Sequence, residues 1–182
     1  MSRISIPTVE QSVEASKPLL AAVKQQLGVA PNLMKLVGHS PAALEGYLSL
    51  NGALAKGKLD VQLRERIALA VAEFNSCDYC LSAHHYLGRN VAKLSEVEID
   101  AARGGRSQNA HADAALRFAK RVAESHGRVS DVELATLRDA GFDEASVIEI
   151  VVNVALNVLT NYVNIVAQTD IDFPTVNAKL VA

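Results

Sequence analysis

The two cysteines of the 182-residue chain stand three positions apart, in Cys77-Asp78-Tyr79-Cys80. That spacing lets two sulfurs approach within bonding distance at the start of a helix, so the pair could serve as a reversible two-electron store. The thiolate is the reactive form, and a helix N-terminus or a neighbouring cation lowers a cysteine pKa from about 8.5 into the range ~3.5–7.5. Cys80 precedes His84 by four residues, which puts thiol and imidazole on one helical face. Cys80 is therefore expected to have the more acidic thiol and to be oxidised first, with Cys77 at a less protected junction. Glu73 lies four residues before Cys77, so 73, 77, 80 and 84 form one stripe of an unbroken helix. Glu65, two turns before Glu73, projects about 80° away. Cys80, Cys77, His84, Glu65 and Glu73 are the candidate catalytic residues.

Blander chemistry has to be weighed for the same residues. A single C-x-x-C could be half of a zinc site, but the chain has no second C-x-x-C and no His pair at ligand spacing. Three ligands on one helical face cannot surround a tetrahedral ion, and neither a metal nor a cofactor is expected. Two buried cysteines acting as small hydrophobes would leave the register of His84 and the glutamates unexplained. A thioredoxin-like motif belongs near a βαβ pattern, and no strand run is apparent. Glu65 could instead be a surface partner for Arg64 or Arg66, and Glu73 an ordinary acid near a helix end. His39, His85, His111 and His126 read as solvated or structural.

The elements that must hold this stripe are helices. Alanine occurs 28 times, tryptophan is absent and aromatics make up 4%, so the chain reads as all-α. Its apolar fraction, about 52% with Gly and without Tyr, excludes disorder and fits one domain over residues 1–182, with the redox core at 60–90. A formal charge of -2 offers no footprint for nucleic acid or an anionic membrane. Residues 1–7 contain no apolar stretch of secretory type, so a cytoplasmic location is expected. Val151 to Thr169 contains no charged residue and nearly reaches spanning length. Asn153, Asn157, Asn161 and Asn164 run down it as one polar stripe, however, which suits a packed interior or subunit contact better than lipid.

Helical spacing and stop signals predict a first helix over 12–28, a brief one at Leu33–Val37, and a third opened by Ser40-Pro41. Asp60 caps a nearly all-apolar helix through Phe74, and Ser76 is the candidate cap of another from Cys77 to Gly88. Ser95 with Glu98 reads as a capping box, followed by helices at 112–125 and 131–139. A last helix runs from Asp143 to about Gln168, and the tail from Asp170 to Ala182 has no strong period. Lys56 to Asp60 and His126 to Ser130 echo each other too faintly to be a repeat.

The run Arg64-Glu65-Arg66-Ile67-Ala68-Leu69-Ala70-Val71-Ala72-Glu73, followed by Cys77-x-Tyr79-Cys80 and His84, resembles the core of the carboxymuconolactone decarboxylase superfamily, in its alkylhydroperoxidase D-like branch. Pro31-Asn32-Leu33, His39-Ser40-Pro41 and Ala140-Gly141-Phe142 are similar to the flanking pattern, so the likeness covers most of the chain. It implies a helical bundle of the alkylhydroperoxidase D-like type, assembled as a trimer or hexamer. It further implies a thiol-dependent peroxidase in which Cys80 attacks a hydroperoxide, Cys77 resolves the sulfenic acid, and Glu65 and His84 relay protons. An external dithiol would then reopen the disulfide. Tyr79 stands where the best-known members have a histidine. A decarboxylase-like lyase on the same fold, or a redox sensor without turnover, are the alternatives.

Overall fold

Ser40, Asp60, Ser95, Ser130 and Asp143 each accept a hydrogen bond from the backbone N–H three residues on, satisfying an otherwise free donor in the first turn of a helix. The computed structural model describes residues 1–179, so the last three residues of the expected 1–182 domain lie outside the described residues. Among the described residues the chain is all-α and has no strand. In order the helices are α1 (Lys17–Leu27), α2 (Asn32–Val37), α3 (Pro41–Leu54), α4 (Val61–Phe74), α5 (Asp78–Asn90), α6 (Glu96–Arg103), α7 (Ala110–Ser125), α8 (Asp131–Asp139) and α9 (Glu144–Ala167).

Three local expectations need correction. The helix expected from residue 12 is a 3-10 turn at Glu14–Ser16 followed by α1. Pro18 has no N–H to give the carbonyl of Glu14, and the buried Ser16 hydroxyl donates to the Gly38 carbonyl at 2.7 Å. Ser76 is not a cap: it takes a positive φ of 53° that turns the chain, and Cys77 occupies the N-cap of α5. Ser95 caps α6, but Glu98 does not complete a box, because its carboxylate accepts from Arg66 Nε, the Ser107 hydroxyl and Gln108 N–H. Burial pulls the Glu98 carboxyl upward, yet those donors outweigh it and hold its pKa below the ordinary value. Its stabilisation is thus present above about pH 4.5 and is lost as the pH falls through the lowered folded value. The reciprocal box belongs to Ser130 and Glu133.

Helix α4 lies at the centre, packed against α5, α6, α7 and α9. Ile67, Leu69 and Val71 are completely enclosed, each contributing about 1.5–3 kcal/mol on burial. Arg66 with Glu98, and Glu73 with Arg103, tie α4 to α6 through two largely buried ion pairs. Before α4, the Glu149 carboxylate of α9 accepts from the N–H groups of Lys58 and Leu59. A Cβ at Gly57 would meet that carboxylate, which would have to shift from its present seat to make room.

Helix α9 is turned inside out. Asn153, Asn157, Asn161 and Asn164 are buried, whereas Ile148, Val151, Leu159, Tyr162 and Val166 on the opposite side are exposed, up to 64% for Val166. By length and composition α9 could cross a membrane, but its amide face is packed inside this fold. The tail, which lacked any period, returns along α5: Val176 N–H donates to the Ser82 hydroxyl and Ala178 N–H to Asp78.

Candidate functional site

Residues 75–77 break what would otherwise be one long helix, and α5 folds back against α4. That return, rather than a continuous stripe, brings the candidate groups together. Cys77 Sγ accepts from Cys80 N–H at 3.3 Å, so the first cysteine caps the helix on which the second sits in the first turn. The two sulfurs are joined as a disulfide, with the Cα atoms 5.3 Å apart. Cys77 is 1% and Cys80 3% exposed, so the expectation of a less protected Cys77 is not met; Thr169 and Ile171 help to enclose its side.

Across the hairpin, Glu65 Oε2 accepts from His84 Nδ1 at 2.8 Å. An ionised carboxylate can only accept, so Nδ1 is the donor in this pair, which leaves Nε2 as the acceptor in the neutral imidazole. Glu65, His84 and Cys80 line one cavity of about 70 Å³, with Tyr47, Asn157 and Thr160 on its other walls. Asn164 closes it and donates from Nδ2 to Cys80 Sγ at 3.3 Å. Burial, with the Glu65 charge adding to it, pushes the Tyr47 phenol up to about 12, so it faces the cavity as a neutral hydroxyl.

Glu73 does not join this group. The break after Phe74 takes α5 back along α4 to Glu65, and Glu73 lies outside the cavity, its carboxylate accepting from Arg103 Nε at 2.5 Å and from Lys179 N–H at 2.6 Å. Glu73 is a structural ion-pair residue, and Glu73→Gln is expected to leave reaction chemistry untouched. Breaking a buried pair costs about 3–5 kcal/mol, or a melting temperature lower by roughly 10 °C. Calorimetric melting beside a rate measurement checks this; a large rate loss without a melting shift would return Glu73 to the site.

Tyr79 also lines the cavity, but its hydroxyl is committed. It accepts from Leu33 N–H at 3.0 Å and donates to Asp172 at 2.8 Å, and its ring meets Phe173 edge-on. Burial above all, together with the Asp172 charge, drives its pKa far above the ordinary phenol value. It therefore anchors the tail and stays protonated. Sequence reasoning did not find Tyr47 or Asp172 as parts of this region, and it read the amides only as interior or contact groups. The regular spacing of the asparagines was the available signal, but nothing in it told which element they would face. Among the described residues, no cluster of three or more His, Cys, Asp or Glu is placed to hold a metal ion.

Residues 41–125 match the model of the carboxymuconolactone decarboxylase family. A stretch of 45 residues is 49% identical to an uncharacterized protein of Haemophilus influenzae; the match covers 24% of this chain and 40% of that protein's length. In structure, the chain is similar to an uncharacterized peroxidase-related protein with an alkylhydroperoxidase AhpD core from Ralstonia eutropha. The TM-score is 0.84 at 23% identity, covering 94% of this chain and 92% of the other. It is also similar to the debrominase Bmp8, with a TM-score of 0.75 at 21% identity over 92% and 94% of the two chains. At such identities the likeness establishes the fold.

Proposed function

Starting from a chain whose residues 41–125 match the model of the carboxymuconolactone decarboxylase family, we propose that it is a thiol-dependent peroxidase that reduces organic hydroperoxides. The observation that carries the reading is the Glu65–His84 pair on the wall of the same cavity as Cys80, whose sulfur is linked to Cys77. In the reduced protein, His84 Nε2 takes the Cys80 proton, and Glu65 holds the imidazole in that tautomer and offsets the positive charge it gains. The first turn of α5 and the Asn164 amide favour the resulting thiolate. The thiolate attacks the distal peroxide oxygen; the O–O bond breaks, the alkoxide takes a proton from His84 and leaves as alcohol, and Cys80 becomes a sulfenic acid. Cys77 then displaces hydroxide, which leaves as water, and forms the disulfide. An external dithiol restores both thiols by exchange, supplying two electrons and two protons.

The test is hydroperoxide consumption with a panel of dithiol donors, combined with intact-mass measurement after blocking free thiols. Turnover with one donor, and loss of both alkylatable thiols after mild peroxide, are expected. Two thiols that persist after peroxide, with no consumption, would defeat the reading. A lyase would act without added dithiol, and a sensor would form the disulfide without turning over.

The exposed apolar stripe of α9 supports a homo-oligomer built through that face, since obligate interfaces resemble a core cut in half. The amides point the other way, so Leu159, Tyr162 and Val166 make the contact in place of Asn157. Leu159→Glu is expected to reduce the mass measured by light scattering to that of one chain, and a monomeric wild type at micromolar concentration would refute the assembly.

A further inference from the structure

Helix α4 carries two arginines, Arg64 and Arg66, on either side of Glu65, and their surroundings differ. Arg66 is paired with Glu98, and Arg103, partly buried nearby, with Glu73. Arg64 lines the cavity of Cys80, Glu65 and His84. Its immediate neighbour cannot serve it, because the Glu65 carboxylate is bonded to His84. Among the described residues no carboxylate lies within salt-bridge distance of Arg64, and its Nε is buried without a hydrogen-bond partner. A buried N–H of a charged group left unpaired is costly, so its persistence in a cavity wall points to a ligand that completes it.

The cavity limits what that ligand is. A volume of about 70 Å³ holds on the order of five water-sized groups, so whatever seats inside it is small. The walls contributed by α9 are three amides, a hydroxyl and the single apolar side chain of Leu156, which suit a small, largely polar molecule. Among the described residues no lysine and no other arginine lines the space, so a negative charge on the ligand has a permanent cation to meet only at Arg64. A guanidinium offers two parallel N–H groups that match the two oxygens of a carboxylate.

We propose that Arg64 is a specificity residue that binds a carboxylate on the substrate, so that the preferred substrate is a small hydroperoxide bearing a carboxylate. The carboxylate end seats on Arg64, and the peroxide end reaches Cys80 across the cavity. The redox step is unchanged: the peroxide oxygen goes to sulfur, the substrate leaves as a hydroxy acid, and the dithiol donor supplies the electrons. This rests on the peroxidase reading for turnover, but the carboxylate seat can be tested without it.

The first arm is calorimetric titration of the oxidised protein with butanoate and, separately, with neutral butanamide. Butanoate is expected to bind the wild type and to bind Arg64→Gln about ten- to a hundredfold more weakly, the scale of a lost hydrogen bond to a charged group. Arg64→Lys, which keeps the charge and loses the fork, should fall between, with butanamide unaffected throughout. The second arm compares KM for tert-butyl hydroperoxide with that for a carboxylate-bearing hydroperoxide of similar size. Arg64→Gln should raise KM for the charged substrate alone. Equal butanoate binding by wild type and Arg64→Gln, or none by either, would overturn the proposal. So would an equal loss of turnover on both substrates, which would assign Arg64 to the thiolate, or a change of oligomeric mass without a change of preference, which would assign it to a neighbouring subunit. Butanoate binding lost in Arg64→Gln, in a protein that consumes no peroxide, would leave the carboxylate seat standing and remove the peroxidase reading.

Discussion

Cys80→Ser is expected to abolish the proposed peroxide turnover, by at least about a thousandfold, the scale on which enzymes lose rate when a nucleophile is removed. The expectation follows from position. Cys80 lines the cavity shared with Glu65 and His84, whereas Cys77 does not; Cys77 caps the helix and borders a separate hollow. Asn164 donates to the Cys80 sulfur and the backbone N–H of Cys80 points to the Cys77 sulfur, so the first turn of α5 provides for both sulfurs, with only one of them beside the base. Cys77→Ser should therefore still react once, leaving a sulfenic acid on Cys80 that a dimedone-type probe labels and mass spectrometry locates. Turnover would then stall for want of a resolving thiol. Probe on Cys77 in the Cys80→Ser variant, and none on Cys80 in Cys77→Ser, would exchange the two roles.

Glu65→Gln should lower the rate by about 10²–10⁴-fold, the usual contribution of a positioned acid or base. Glutamine is nearly isosteric, and its carbonyl oxygen can still accept from His84 Nδ1–H at the same place. What would disappear is the negative charge that, in the proposed relay, stabilises the imidazolium of a His84 that has taken the thiol proton. Because both side chains are only partly buried, the variant should keep most of its stability, so the loss appears in the rate and its pH profile more than in melting. A full rate with a lower melting temperature would make Glu65 a structural partner only. The outcome contrasts with that expected for Glu73→Gln, although both positions are glutamates on the same helix.

The helical class and most element ends were legible because they depend on neighbours close in the chain. A cap needs one short polar side chain and the backbone N–H three residues on, which Ser40, Asp60, Ser130 and Asp143 all provide. The same local rule failed where a distant group competed. Glu98 had the right spacing for a box, but Arg66, Ser107 and Gln108 claim its carboxylate from across the fold.

The candidate site divides in the same way. That Cys77 and Cys80 could meet, and that His84 lies one turn beyond Cys80, follow from helix geometry and were determined by spacing alone. Whether Glu65 or Glu73 reaches the histidine was decided by the tertiary structure. The stripe through residue 73 required a helix running unbroken past 75–77, but the chain turns there and α5 returns along α4, bringing Glu65 to His84 across nineteen positions and leaving Glu73 to Arg103. The asparagine spacing likewise established one polar face on α9. Only packing decided that this face looks inward, because helix period fixes which residues share a side, while the identity of the neighbour on that side depends on contacts far apart in the chain.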